Sequence, residues 1–122
     1  MSAALVEQAE QLAARAYAPY SGYAVGAVVR SRDGREFGGV NVENAAYPLG
    51  VCAEKNAIAA AVSAGCRPGE LEAIGITAAP CGGCRQWLVE FALDSVSFRA
   101  EDGSISTFTP AELLPAGWTL PV

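Results

Sequence analysis

The run LEAIGITAAPCGGCRQWLVEFAL, Leu71 to Leu93, decides the fold of this chain. Its opening, Leu71 to Thr77, is short, apolar and carries the β-branched Ile74 and Ile76, which reads as a buried strand. Pro80 breaks that strand, Gly82-Gly83 allows a tight backbone approach, and Arg85 to Leu93 reads as a helix. Strand, cysteine pair and helix thus follow one another directly, with Cys81 and Cys84 at the junction.

Outward from this run the same grammar repeats. Upstream, a loop through Asn44, Pro48 and Gly50 delivers Cys52, and the Ala-rich segment Ala53 to Ala64 is helical, closed by Gly65. Before it, Tyr23 to Ser31 and Glu36 to Val42 are strand-like and are joined by Arg32-Asp33-Gly34-Arg35, where Asp-Gly signals a hairpin. Residues 2 to 17 carry Leu5, Ala9, Leu12, Ala13 and Ala16 at helical spacing behind Ser2, a candidate N-cap, and this helix ends before Ala18-Pro19. Downstream, Val96 to Arg99 and Ile105 to Phe108 flank Asp102-Gly103 as strands, Pro110 to Leu114 is a short helix, and Pro115 to Val122 is a tail. This order predicts a single domain over residues 1–122, a mixed sheet with helices packed on it.

Composition narrows the function. A chain of 122 residues with 52% hydrophobic and 17% charged residues is a packed globular domain that needs no disulfide staples. It contains no apolar run long enough to span a membrane, and Met1-Ser2-Ala3-Ala4 is not a basic leader. The expectation is a cytoplasmic protein whose thiols stay reduced and available to metal. A net charge of −5 argues against a nucleic-acid partner, since that binding rests on Lys and Arg neutralising phosphates. A small neutral substrate fits better.

The chemistry lies in C-A-E (Cys52 to Glu54) and P-C-G-G-C (Pro80 to Cys84). A catalytic zinc usually has three protein ligands and an open fourth position. In a chain without histidine, Cys52, Cys81 and Cys84 supply three thiolates, and Glu54 is left for proton transfer. Zinc deaminases of nucleobases divide the work in this way. Both strings fall at helix starts, where partial positive charge and free N–H groups stabilise a thiolate. Lys55 and Arg85 are candidates to offset the remaining negative charge of a three-thiolate site. Plainer readings stand beside these. A C-x-x-C pair also suits redox chemistry or a structural zinc site, for which Cys66 would be the fourth ligand, although it lies a helix length, about 20 Å, from Cys52. Glu54 suits any first helical turn. It can share one water with Cys52 only if Cys52 sits at the very start of the helix, because residues i and i+2 face apart. Asn41 and Glu43 suit a solvated strand end, and Tyr23, Tyr47 and Trp118 suit core or surface packing.

Taken together, A-Y-A-P-Y-S (Ala16 to Ser21), V-G-A (Val25 to Ala27), N-V-E-N-A (Asn41 to Ala45), C-A-E, P-C-G-x-C-R-Q (Pro80 to Gln86) and E-L-L-P (Glu112 to Pro115) occur in one family's order. In these motifs the chain resembles the small homotetrameric cytidine deaminases. The resemblance implies a three-layer α/β fold with a mixed five-stranded sheet flanked by helices. It implies one Zn²⁺ per chain on Cys52, Cys81 and Cys84, with Glu54 shuttling protons as cytidine or 2′-deoxycytidine is hydrolysed to the uridine product and ammonia, a step of pyrimidine salvage. It also implies that Asn41 and Glu43 grip the ribose, that Tyr23 stands near the base where the family usually has Phe, and that Tyr47 reaches a neighbouring subunit's site. Trp118 occupies the place of the family's C-terminal Phe, which closes over a site and binds substrate, with an unusually short tail beyond it. Lys55 stands where the family commonly has Arg, keeping the charge without the planar fork. Blasticidin S deaminases share the zinc strings but lack N-V-E-N-A-x-Y. Two rival functions remain: deamination of another aminopyrimidine such as a nucleoside antibiotic, and a non-catalytic zinc-stabilised binding domain, which would have no use for Glu54.

Overall fold

The computed structural model describes residues 2–121. Four helices and five strands follow one another as α1 (Ser2–Leu12), β1 (Gly26–Ser31), β2 (Glu36–Val40), α2 (Ala53–Ser63), β3 (Leu71–Ile76), α3 (Gly82–Glu90), β4 (Ser95–Arg99), β5 (Ile105–Phe108) and α4 (Pro110–Leu113). The strands form one sheet in the order β2-β1-β3-β4-β5. β3 and β4 run parallel, with α3 between them in sequence, and the other pairings are antiparallel, so the expected mixed sheet is present.

Alternation along β1 assigns its two faces. Val28 packs with Leu5 and Ala9 of α1, whereas Ala27 and Val29 join Ala57, Ile58 and Ala61 of α2 and Leu88 of α3. The layers are therefore α1, the sheet, and α2 with α3. Two glycines allow the helices to lie directly on the strands: a side-chain carbon on Gly75 would meet Leu5 and Val6 of α1 at 2.5 Å, and one on Gly39 would meet Ala57 N of α2 at 2.4 Å. Backbone approach of this kind is what glycine in a strand interior commonly serves.

Several boundaries differ from the sequence reading because tertiary pairing and capping override local pattern. The opening helix stops at Leu12 and tightens into a 3-10 turn over Ala13–Arg15. The chain then turns so that Tyr17 N–H can donate to Asn41 O at 3.0 Å. The first two strands are shorter than their apolar runs, since Tyr23 and Val25 are held by the Asn41 side chain and Val42 leaves β2 to bridge Tyr17 and Val51. α3 begins at Gly82 rather than Arg85, because Cys81 caps it. The cap expected of Ser2 involves a side chain outside the described residues.

Candidate active site

Two helix N-termini meet at the ends of β2 and β3. The β2 to α2 connection is anchored by Val42 and Val51, which exchange N–H···O bonds of 2.9 Å, and the next residue is Cys52. With φ −72° and ψ 155°, Cys52 is the extended N-cap of α2, at the very start of the helix as its partnership with Glu54 requires. Cys81 plays the same part for α3, and its Sγ accepts from the Cys84 N–H at 3.5 Å. Cys84 follows in the first turn, fully buried.

The sulfurs of Cys52, Cys81 and Cys84 lie within 4.8 Å of one another, and those of Cys52 and Cys81 are 3.9 Å apart. Tetrahedral Zn–S bonds of about 2.3 Å put sulfurs about 3.8 Å apart, so the three thiols fit that ion. Among the described residues these three form the group able to hold a metal. Burial pushes the Cys52 and Cys84 thiols up. In Cys81 burial acts in the same sense, but donation from the Cys84 N–H, the neighbouring thiols and the Gly83 N–H outweighs it and leaves this thiol low. Thiols that burial keeps protonated lose their protons to solvent when a cation binds and compensates the charge. Cys66 is elsewhere, buried after α2 with its Sγ accepting from Arg35 Nη2 at 3.5 Å.

Glu54, in the first turn of α2, is 4% exposed. Burial pushes its carboxyl above the usual carboxylate range, against the pull of its own backbone, the Cys84 thiol and the Lys55 charge. It borders a cavity of about 230 Å³ that Cys52, Cys81, Tyr23 and Asn41 also line. A buried, raised carboxyl facing a cavity beside three thiols is suited to taking and returning a proton.

The remaining expected residues are distributed less tightly. Asn41 borders the cavity, but its side chain also binds the chain across from it, accepting from Val25 N–H at 2.7 Å and donating to Tyr23 O at 2.9 Å. Glu43 and Tyr47 line a second cavity of about 400 Å³ with Tyr20 and Ser21. Tyr23 and Tyr47 are 61% and 73% exposed. Trp118, 68% exposed, lines neither cavity, and its carbonyl accepts from Gln86 Nε2 on α3 at 2.5 Å. Lys55 Nζ lies over the start of α3, 3.4 Å from where a side-chain carbon on Gly83 would sit, a point 4.0 Å from Cys81 Sγ. Arg85 gives its Nε to Pro80 O at 2.9 Å and its Nη1 to Leu113 O at 3.0 Å, tying α3 to α4.

The sequence model of the cytidine and deoxycytidylate deaminase zinc-binding region matches residues 1–100. The chain belongs to that deaminase family. It is accordingly an enzyme, a hydrolytic deaminase. It is 39% identical to a cytidine deaminase of Halalkalibacterium halodurans over 94% of this chain and 92% of the relative, and 36% identical to one from Sporosarcina psychrophila over 94% and 89%. The crystal structure of cytidine deaminase from Burkholderia pseudomallei superposes with a TM-score of 0.90 at 39% identity, covering 97% of this chain and 99% of that one. The five-stranded α/β fold is thus the deaminase fold.

Within this deaminase the structure adds two contributors that motif reading passed over. Gly39 lets β2 lie against α2 so closely that a side-chain carbon there would come 2.6 Å from Ala53 O, between the Cys52 and Glu54 positions. Asn56 reinforces the joint by donating its Nδ2 to Val40 O at 2.7 Å. The pair Gly38-Gly39 inside a strand-like run is a signal of close backbone approach. The second contributor is Ser21, which lies in A-Y-A-P-Y-S and bonds to the Glu43 carboxylate.

Proposed function

We propose that this enzyme catalyses the zinc-dependent hydrolytic deamination of cytidine and 2′-deoxycytidine to uridine and 2′-deoxyuridine, releasing ammonia. The observation that carries the reading is the buried Glu54 at a cavity lined by two of three clustered thiols. Cys52, Cys81 and Cys84 would hold one Zn²⁺ per chain, which supplies Lewis acidity that brings a water's pKa down toward neutrality. Glu54 takes one proton of the attacking water to the ring nitrogen and then carries the remaining hydroxyl proton to the departing amine as its C–N bond breaks. The helix N-termini beneath Cys52 and Cys81 favour the thiolate form, with Lys55 and Arg85 the cations nearest in sequence to the ligands.

Asn41 and Glu43 are assigned to the sugar and Tyr23 to the face of the base. Tyr47 and Trp118, both exposed in the single chain, are assigned to the substrate site of a homotetramer, Tyr47 reaching a neighbouring subunit's site and Trp118 closing over one. The whole chain acts as one domain, in the cytoplasm, on small nucleosides of pyrimidine salvage. No described helix is long and apolar enough to cross a membrane. The relatives and solved neighbours named cytidine deaminase support this substrate. A structural zinc domain is disfavoured because such a site has no use for a carboxyl kept buried beside it. Incubating the zinc-loaded protein with cytidine, 2′-deoxycytidine, cytidine 5′-phosphate, free cytosine and a nucleoside antibiotic, and following ammonia, tests the assignment. Release should be fastest from the two unphosphorylated nucleosides. Preference for any other member of the panel would overturn it.

A further inference from the structure

The segment between α1 and β1 carries Tyr23 to the mouth of the cavity, and two side chains hold it down. Asn41 takes the backbone of Tyr23 and Val25. Glu43 takes the turn before them: its Oε1 accepts from the N–H groups of Tyr20 at 3.0 Å and Ser21 at 3.1 Å, and its Oε2 accepts from the Ser21 hydroxyl. The same Ser21 oxygen accepts from the Tyr23 N–H at 3.0 Å. One hydroxyl therefore joins the carboxylate on one side to the aromatic's backbone on the other.

The geometry is close to saturated. An ionised carboxylate offers about four acceptor directions, and three of those on Glu43 are taken by its own chain. One acceptor direction is left for an outside hydroxyl, and the three bonds fix which way it points. Hydrogen bonds to a charged acceptor are the strong kind, so the carboxylate is preorganised rather than swinging in solvent.

We infer that Ser21 is a positioning residue for the sugar side of the site, locking Glu43 so that its one remaining acceptor direction meets a sugar hydroxyl. Ser21 need not touch substrate to do this. The inference rests on the nucleoside substrate proposed above and adds the residue that sets its sugar recognition. A carboxylate already aimed at a hydroxyl discriminates strongly against analogues lacking it, because the polar group is then left without its partner.

The test compares wild-type protein with Ser21→Ala and Ser21→Thr, all zinc-loaded, on cytidine and on 2′,3′-dideoxycytidine, together with amide hydrogen exchange at Tyr20, Ser21 and Tyr23. Ser21→Ala should raise KM for cytidine about tenfold with kcat within about twofold, the pattern of a binding contact made equally in ground and transition states. It should leave dideoxycytidine kinetics within about twofold, because the hydroxyl that would report the loss is absent there. Protection of the Tyr23 amide should fall in Ser21→Ala and persist in Ser21→Thr, which keeps the hydroxyl and should restore KM. An equal penalty on both nucleosides would mean that Ser21 only holds the loop together, and would overturn the inference. So would unchanged exchange, or lost protection without a change in KM. If wild-type protein deaminates neither nucleoside while Ser21→Ala still loses Tyr23 protection, the nucleoside reading fails and the sugar role falls with it, leaving the hydrogen-bonded clasp alone.

Discussion

The half of the site assigned to the metal and the half assigned to the sugar are built in opposite ways. Cys52, Glu54, Cys81 and Cys84 sit on the first turns of two helices whose inner faces, through Ala53, Ala57, Ile58 and Leu88, belong to the same core as the sheet. Tyr23, Asn41, Glu43 and Tyr47 lie on connections, and Trp118 lies in the tail. One half inherits rigidity from packing that a single chain completes. The other is held by side-chain hydrogen bonds and leaves large aromatics uncovered. Substitutions in the first half should therefore act on metal and kcat, and those in the second on KM and assembly.

The sharpest break in that division would come from the ligands. Cys84→Ala should lose metal and activity together, falling from one zinc per chain to about a tenth or less, since two thiolates no longer close a three-ligand site. Cys66→Ala, which removes a buried thiol outside the group, should retain both. Elemental analysis decides, and zinc retained in the first or lost in the second would reassign the ligands.

Next comes the joint beneath α2. Gly39→Ala should destabilise the fold by roughly 2 to 4 kcal/mol, because the added carbon meets backbone rather than a yielding side chain. A melting temperature lower by about 10 °C is expected for a domain of this size. Gly82→Ala is the contrast: a carbon there meets nothing within 4 Å, and in a helix it should be neutral or stabilising by up to about 1 kcal/mol. Calorimetry on the two variants checks both, and equal stability would mean that α2 does not depend on this approach.

On the sugar half, Tyr47→Ala should leave zinc at one per chain while lowering kcat/KM about tenfold and shifting the oligomer toward smaller species by light scattering. A variant that stays assembled and fully active would remove Tyr47 from the site. The smallest effect concerns acid. The Ser21 hydroxyl, helped by the backbone N–H groups of Ser21 and Tyr20, holds the Glu43 carboxyl below the usual carboxylate range. A lowered folded value means that the clasp contributes its full stability above the unfolded pKa of about 4.3 and loses it as pH falls through the lower folded value. Exchange protection of the Tyr20 and Ser21 amides should therefore survive at mildly acidic pH and disappear only in stronger acid. Loss of that protection nearer neutrality would contradict the carboxylate's role.

The same contrast explains what could be read from residues alone. The metal half is legible because spacing dictates it: C-A-E and P-C-G-G-C place thiols at helix starts wherever the surrounding apolar periodicity puts the helices. The first two strands were legible as strand-like runs, and Asp33-Gly34 from turn chemistry, and both appear in the antiparallel pairing of β1 with β2. What escaped depends on long-range contact. Gly82-Gly83 reads as loop because glycine is a poor helix former, yet a cysteine cap recruits both into α3. Nothing local says that Ser21 will find Glu43 across 22 positions. Nor does Arg85, one residue after a ligand, announce that its guanidinium goes to the carbonyls of Pro80 and Leu113.

The most direct test of the account is ammonia release from cytidine by zinc-loaded wild-type protein beside Glu54→Gln, with zinc measured in the same samples. The amide preserves the shape of the buried group but cannot carry a proton, so the variant should keep one zinc per chain and its melting temperature while kcat falls by about 10² to 10⁴. Turnover near the wild-type rate in a variant that retains its zinc would contradict the role of Glu54, and with it the reading of this cavity as a deaminase site.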